Sequence, residues 1–291
     1  MFNIITKRLE IVVTKHDRQS TARKVAISFG ILIILPLMAG AQVITFADLH
    51  PAGTTHSILY ATTGSQQAGQ VFFGSNGHAG IWSGTAGSFL DLHPVGTSES
   101  EAVATSGSQQ AGRARVGGSF HAGIWSGTAG SFVDLNPVGA TSSRVRATTG
   151  SQQAGQAAFG SMSHAAIWTG TAGSFVDLNP AGYTSSLLYV TTGSQQAGRA
   201  TSVEGGTHAG IWSGTAGSFV DLNPTGADDS YAYATSGSQQ GGVVWFGSDE
   251  HAAIWSGSAG SFVDLHPAGA SASAVLATFS PTSAIRGGIT A

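Results

Sequence analysis

Histidine, serine and aspartate recur together five times in this chain, and that trio is the raw material of nucleophilic hydrolysis. His78, His121, His164, His208 and His251 each precede an aspartate: Asp91, Asp134, Asp177, Asp221 and Asp264. Residues 121–137 read HAGIWSGTAGSFVDLNP, with near-copies at 78–94, 164–180, 208–224 and 251–267. A sixth aspartate, Asp48, opens the same Asp-Leu-His-Pro phrase near the start. A catalytic triad works once, with one base poised against one nucleophile. Copying at a fixed step is instead the mark of a structural unit. A ring of histidines also fails as a zinc site, because equivalent atoms on stacked sheets lie roughly 10 Å apart while zinc holds its ligands at about 2 Å. A calcium ladder would need several oxygen ligands per ion, and each unit offers one aspartate. The histidines are therefore expected to hydrogen-bond at strand starts. The aspartates are expected to accept turn N–H or hydroxyl donors, or to pair with the histidine of their own unit. No metal and no cofactor is expected.

Other catalytic patterns are equally thin. The carboxylate pairs Asp228-Asp229, Asp249-Glu250 and Glu99/Glu101 are not repeated, and they read as solvated charges in loops or at a strand start. Glycosidase chemistry needs two carboxyls at a set separation with one in an apolar setting. No Gly-x-Ser-x-Gly elbow lies between a strand and a helix. The chain has no cysteine, which excludes disulfides and thiol catalysis.

The informative positions are those at which the copies differ. Tyr60 corresponds to Val103, Arg146, Tyr189, Tyr233 and Leu276, and Gln70 to Arg113, Gln156, Arg199, Val243 and Arg286. Tyrosine and arginine dominate binding hot spots. Tyr60, Arg113, Arg146, Tyr189, Arg199, Tyr233 and Arg286 are accordingly the candidate ligand-binding residues, suited to an acidic or sugar-like ligand. After residue 41 there are six arginines and no lysine against thirteen acidic residues, so binding driven by nucleic-acid phosphates is not expected.

These residues must be positioned by a repeat. The Asp-Leu-(His/Asn)-Pro phrase recurs at intervals of 43 residues, once 44, and 40–45 residues is the step of four-stranded propeller blades. One unit, 141–183, reads as four short strands: Arg144–Thr148, Ala154–Gly160, His164–Trp168 and Ser174–Leu178, joined by tight turns. Both faces of each strand carry apolar residues, as a sheet packed between two others requires. Trp82, Trp125, Trp168, Trp212 and Trp255 close the third strands as structural residues. With 41% hydrophobic residues the chain has apolar surface to bury, and no stretch after residue 42 shows a helical period. The fold class expected is all-β: a β-propeller of about six four-stranded blades. The repeats run about 55–97, 98–140, 141–183, 184–227 and 228–270. A sixth, incomplete blade is shared between 271–291 and the strand in 43–54. That strand closes the ring; an open repeat array, or truncation at the C-terminus, is the alternative. Residues 1–41 hold a basic stretch ending Arg23-Lys24, an apolar run over 25–38 and Ala39-Gly40-Ala41. They read as a signal peptide cleaved after Ala41, with an uncleaved membrane anchor as the alternative.

The strand order resembles WD-repeat propellers in architecture, without their Gly-His and Trp-Asp signatures. Gln153-Ala154-Gly155, His164-Ala165-Ala166-Ile167-Trp168 and Asp177-Leu178-Asn179 stand in the order of the bacterial extracellular repeats named for a His-Ala-Phe motif, and 43–270 resembles that family. Gly80 and Ala166 replace its phenylalanine. The resemblance implies an exported bacterial protein without an assigned activity. The function expected is a non-enzymatic, secreted or periplasmic binding or scaffold module, monomeric, with a glycan or protein ligand and no nucleic-acid or membrane partner after cleavage. A propeller hydrolase or lyase acting on polysaccharide and a purely structural repeat are the alternatives.

Overall fold

The computed structural model describes residues 46–277; the signal segment, Arg286 and the strand expected near 284–290 lie outside the described residues. Five four-stranded antiparallel sheets follow one another along the chain, each in simple order. The first comprises β1 (His56–Thr62), β2 (Gln67–Phe73), β3 (Asn76–Trp82) and β4 (Leu90–Asp91). The second comprises β5 (Ser100–Thr105), β6 (Gln110–Val116), β7 (Ser119–Trp125) and β8 (Val133–Asp134). The third comprises β9 (Ser142–Thr148), β10 (Gln153–Phe159), β11 (Met162–Trp168) and β12 (Val176–Asp177). The fourth comprises β13 (Tyr183–Thr191), β14 (Gln196–Ser202), β15 (Thr207–Trp212) and β16 (Val220–Asp221). The fifth comprises β17 (Asp229–Thr235), β18 (Gln240–Phe246), β19 (Asp249–Trp255) and β20 (Val263–Asp264).

Two local expectations need correcting. The third strand begins before its histidine: Phe159 pairs directly with Met162, leaving a two-residue turn in which Gly160 takes φ +64°. The fourth strand is only two residues long. Its expected start is a 3-10 turn, Ala172–Ser174, in which the Ser174 hydroxyl donates to Thr171 O (2.6 Å) and accepts Thr169 N (2.8 Å). That serine satisfies the turn locally, which competes with ladder pairing.

The Gln-Gln-x-Gly phrase has a steric reason. The first strand bulges opposite the glycine, and a Cβ on Gly155 would stand 2.0 Å from Arg144 O. No side chain fits there.

Successive sheets pack face to face. Ala154, Ala165, Ile167 and Leu178 of the third sheet meet Leu188, Ala200 and Trp212 of the fourth. The same set recurs at the other three junctions. Every repeat tryptophan is buried, and Trp212 Nε1 donates to Leu178 O of the sheet before it (2.9 Å). Burying one such side chain contributes on the order of 2–3 kcal/mol, so the junctions hold the fold together.

Polar clamps fix the register at each junction. Ser186 Oγ accepts Ala165 N (2.9 Å) and donates to Asn179 Oδ1 (2.7 Å), joining two sheets. Gln109 Oε1, in the turn of the second sheet, accepts Thr148 Oγ1 (2.7 Å) and Gln153 Nε2 (2.8 Å) of the third. Gln66, Gln152 and Gln195 repeat that clamp at the other junctions.

The two ends of the series differ from its middle. Leu59 is 44% exposed and Leu265 is 42% exposed, whereas Val145, Leu188, Leu135 and Leu178 at the matching interior places are fully buried. Before the first sheet, His50 bonds Ser57 (3.1 Å) as His93 bonds Ser100 (2.8 Å). After the fifth, Ser273 Oγ accepts Ala252 N (2.9 Å), and Val275 N donates to Gly242 O (3.0 Å). Residues 272–277 thus lie along the fifth sheet as a first strand does, but without the ladder expected for Ala274–Thr278; the one bridge there joins Glu250 to Ala272.

Candidate functional site

The repeated histidines and aspartates form internal pairs. Nδ1 of His78, His121, His164, His208 and His251 lies 2.6–2.8 Å from Oδ2 of Asp91, Asp134, Asp177, Asp221 and Asp264. The other oxygen of each aspartate accepts the amide two residues on, as Asp177 Oδ1 does from Asn179 N (2.8 Å); Asp48 does the same for His50 N (2.9 Å). Each pair ties the third strand to the fourth, and among the described residues no serine hydroxyl is bonded to a repeat histidine's paired nitrogen.

The variable positions converge. They lie on the first two strands of successive sheets, where those strands run side by side, and they form a continuous basic and aromatic strip. In the second sheet the guanidiniums of Arg113 and Arg115 lie over the Phe120 ring, 3.8 and 4.0 Å from its centre. Glu101 sits between Arg113 (2.9 Å) and Arg144 of the third sheet (2.8 Å). Arg146 donates to Gln156 Oε1 (3.2 Å) and faces the Tyr189 ring of the fourth sheet at 5.6 Å. Arg199 lies 4.3 Å from the centre of Tyr231, in the fifth sheet. Tyr233 meets both Tyr189 (5.0 Å) and Tyr231 (6.0 Å), and Tyr231 packs on Trp245 (4.7 Å).

A cleft of about 340 Å³ opens between the third and fourth sheets. Arg146 and Arg199 line it, with Gln156 and the hydroxyls of Ser161, Ser163 and Ser185. A smaller cleft of about 150 Å³ lies between the second and third sheets, bounded by Arg113, Arg144 and Phe120. Arg146 and Gln156 border both. Among the described residues no carboxylate stands within ion-pair distance of Arg146 or Arg199. Burial pulls the Arg146 pKa below its ordinary value, and the charges of Arg144, Arg199 and Arg113 act in the same direction; the group stays charged at neutral pH. Burial raises the Tyr189 phenol and pushes Tyr233 up to about 12, so both offer neutral hydroxyls.

Five of the seven candidates, Arg113, Arg146, Tyr189, Arg199 and Tyr233, therefore share one strip. Tyr60 is half-exposed in the first sheet, its hydroxyl 3.5 Å from Gln70 Oε1; Arg286 lies outside the described residues. Glu101 departs from expectation. It belongs to β5 and is 6% exposed, not a solvated loop charge, because two arginines neutralise it. Tyr231, Trp245 and Phe120 are members that the reading of the repeats did not single out; Arg144 stands two residues from the Tyr60 series, and Glu101 was read as a loop or strand-start charge. Their signal was available, since Ile58, Glu101, Arg144, Leu187 and Tyr231 occupy one repeat position and differ as much as the Tyr60 series does.

No family model matches the chain, so the likeness to the His-Ala-Phe repeats rests on the motifs quoted above. No curated protein matches it either. Among solved structures it is similar to the crystal structure of TolB from Acinetobacter baumannii, at 13% identity and a TM-score of 0.48, covering 68% of this chain and 50% of that one. It is also similar to the structure of putative TolB from Agrobacterium tumefaciens, at 11% identity and a TM-score of 0.47, covering 68% and 76%.

Proposed function

We propose that the chain is an exported, non-enzymatic binding module whose sheets form a six-bladed ring and whose ligand, a glycan or a protein, lies on the Arg–Tyr strip. The observation that carries this reading is the cleft between the third and fourth sheets, where Arg146 and Arg199 face one space without a carboxylate partner among the described residues. A partly desolvated guanidinium such as Arg146, answered within the protein by the neutral Gln156 amide, gains from a charged partner, and an arginine fork suits carboxylate or phosphate. The non-enzymatic part of this reading draws on several acidic residues being engaged within the fold. Glu101 is held by two arginines, Asp229 accepts Thr207 N (2.6 Å), Asp228 accepts Gly247 N (2.6 Å), and the repeat aspartates hold their histidines.

The test is a screen of the full chain against glycans and outer-surface proteins, with Arg199→Ala beside it. Specific binding that weakens about tenfold or more in the variant is expected, the size of a lost charged hydrogen bond. Hydrolysis or elimination of a glycan, abolished by a single carboxylate substitution, would overturn the reading, as would binding indifferent to Arg199.

A further inference from the structure

Four guanidiniums border the two clefts, Arg113, Arg144, Arg146 and Arg199, and Glu101 pairs with two of them; the strip's fifth, Arg115, pairs with Glu99 (3.7 Å). The positive excess is spread over two adjoining clefts. From this geometry we infer that the ligand is a linear acidic polysaccharide that lies across both clefts, with one carboxylate in each. This deepens the binding reading above and rests on it.

Three properties of the strip select that chemistry. The first is charge spacing. The clefts lie on either side of the third sheet, so their centres are about one sheet spacing apart, roughly 10 Å. Duplex DNA presents a charge about every 1.7 Å along its axis, and four arginines match few of those. A chain that alternates acidic and neutral sugars spaces its carboxylates one disaccharide apart and can offer one to each cleft.

The second property is the neutral lining. Ser161, Ser163, Ser185 and the Gln156 amide surround the arginines of the larger cleft. Hydroxyls and amides both donate and accept, as ring hydroxyls demand.

The third is the aromatic side chains at the two ends of the strip, of which Phe120 borders the smaller cleft. The Arg113 and Arg115 guanidiniums both lie over the Phe120 ring. At the other end Tyr233 packs edge to face with Tyr189 and Tyr231, and Tyr231 lies tilted against Trp245. Rings on both sides of the arginine pairs suit the apolar faces of pyranose rings, as amphipathic aromatic side chains do when one end stays wet. Arg146 belongs to both clefts and is desolvated among like charges, so a carboxylate there removes repulsion as well as adding a bond.

The experiment titrates the full chain with three probes: a hexasaccharide alternating glucuronate and N-acetylglucosamine, its carboxyl-reduced form, and free glucuronate. Arg199→Gln reports on the larger cleft and Arg144→Gln on the smaller; circular dichroism checks that each variant keeps its sheet content. The hexasaccharide is expected to bind at least about tenfold more tightly than either other probe. Each variant is expected to weaken it about tenfold, while only Arg199→Gln weakens free glucuronate. Equal affinity for glucuronate and the hexasaccharide, or insensitivity to Arg144→Gln, would overturn the two-cleft polysaccharide while leaving a single-cleft binding module standing. Equal binding of the carboxyl-reduced form would overturn the acidic requirement. A polyaspartate peptide and single-stranded DNA are added as controls and are expected to bind more weakly; tighter binding of either would replace the ligand class. Failure of every glycan, peptide and nucleic acid to bind would remove the binding reading itself. If Arg144→Gln loses sheet content, Phe120→Leu serves as the second report on the smaller cleft, with the same expected loss for the hexasaccharide alone.

Discussion

Gly80, Gly123 and Gly210 show how much one methyl group sets in this repeat. A Cβ on Gly123 would stand 2.1 Å from the ring of Phe132, and one on Gly210 equally close to Phe219. In those units the phenylalanine lies over the glycine and reaches the tryptophan, with ring centres 4.9–5.3 Å apart. Where the position is Ala166 or Ala253, the ring is displaced: Trp168–Phe175 is 5.9 Å and Trp255–Phe262 is 6.1 Å, and the phenylalanine instead meets Phe159 or Phe246. The phenylalanine that the His-Ala-Phe resemblance places on the third strand is thus replaced in space by the ring of Gly-Ser-Phe. A residue-scale prediction concerns His93, which stands where Asn136, Asn179 and Asn223 stand in the middle junctions. Its Nε2 donates to Thr97 O (3.0 Å), so the neutral ring accepts the Ser100 hydroxyl at Nδ1. It stacks on His78 at 3.8 Å, beside Asp91. Burial, and then the His78 charge, lower its pKa from 6.5. The unfolded ring therefore takes up a proton at higher pH than the folded one. Its stabilising contribution is complete above about pH 6.5 and is lost as pH falls through that value toward the folded pKa. His93→Asn is expected to reduce the fall in Tm between about pH 7.5 and about pH 5. An unchanged acid slope in thermal melts would refute the assignment.

At the scale of the sheet, nearly everything was legible, because a repeat prints the same instruction five times. Strand number and the buried tryptophans follow from alternation and period, and the internal His–Asp pairing was one of the roles they left open to the aspartates; the turn before the third strand proved tighter than expected. Two features were not legible. The fourth strand is short because Ser174 and its counterparts close a local turn, a competition between side chain and ladder that alternation does not reveal. The Gly-Ser-Gln-Gln phrase reads as a turn, yet its first glutamine reaches the next sheet. A partner about forty residues away leaves no mark in local pattern. The clamp gives a sharp prediction. Gln109→Ala removes the acceptor for the Thr148 hydroxyl and the Gln153 amide at a half-buried junction. Losing partners at such a site costs about 1–3 kcal/mol. Ser108→Ala, one residue earlier and exposed in the same turn, is expected to stay within about 0.5 kcal/mol. Denaturant melts of the two variants distinguish a clamp from an ordinary turn, since equal effects would mean that the turn alone matters. The binding strip was half legible for a related reason. Arg146 and Tyr189 stood out as breaks in the repeat, but Glu101 and Tyr231 acquire meaning only once neighbouring sheets bring their first strands together.

For the molecule as a whole, the question is what covers Leu59 and Leu265. Each occupies a place that is fully buried at the interior junctions, and each burial is worth on the order of 1.5–3 kcal/mol. The two faces are not alike. One is the front of a sheet and the other the back, so they are complementary to each other and not to themselves. Such faces either meet within one chain or join copies end to end into a filament. The flanking segments favour the first outcome. Residues 46–51 already hold the place of a fourth strand and its turn ahead of β1, through Asp48, His50 and Ser57. Residues 272–277 already lie where a first strand lies behind the fifth sheet. A sixth sheet drawing on both would bury both leucines and leave no open face. The glutamine clamp supplies a coordinate for testing this. In register with Gln66, Gln109, Gln152 and Gln195 the next-but-one unit has Thr282, and in register with Thr105, Thr148, Thr191 and Thr235 the first sheet has Thr62. Closure brings Thr62 and Thr282 together as the interior clamps bring their members. The chain has no cysteine, so Thr62→Cys with Thr282→Cys gives a clean pair for a short thiol-reactive cross-linker. A closed ring yields a cross-linked monomer whose fraction does not change with protein concentration. Covalent dimers and longer ladders that grow with concentration would show instead that the front of one chain meets the back of another, and the ring would have to be given up for a filament.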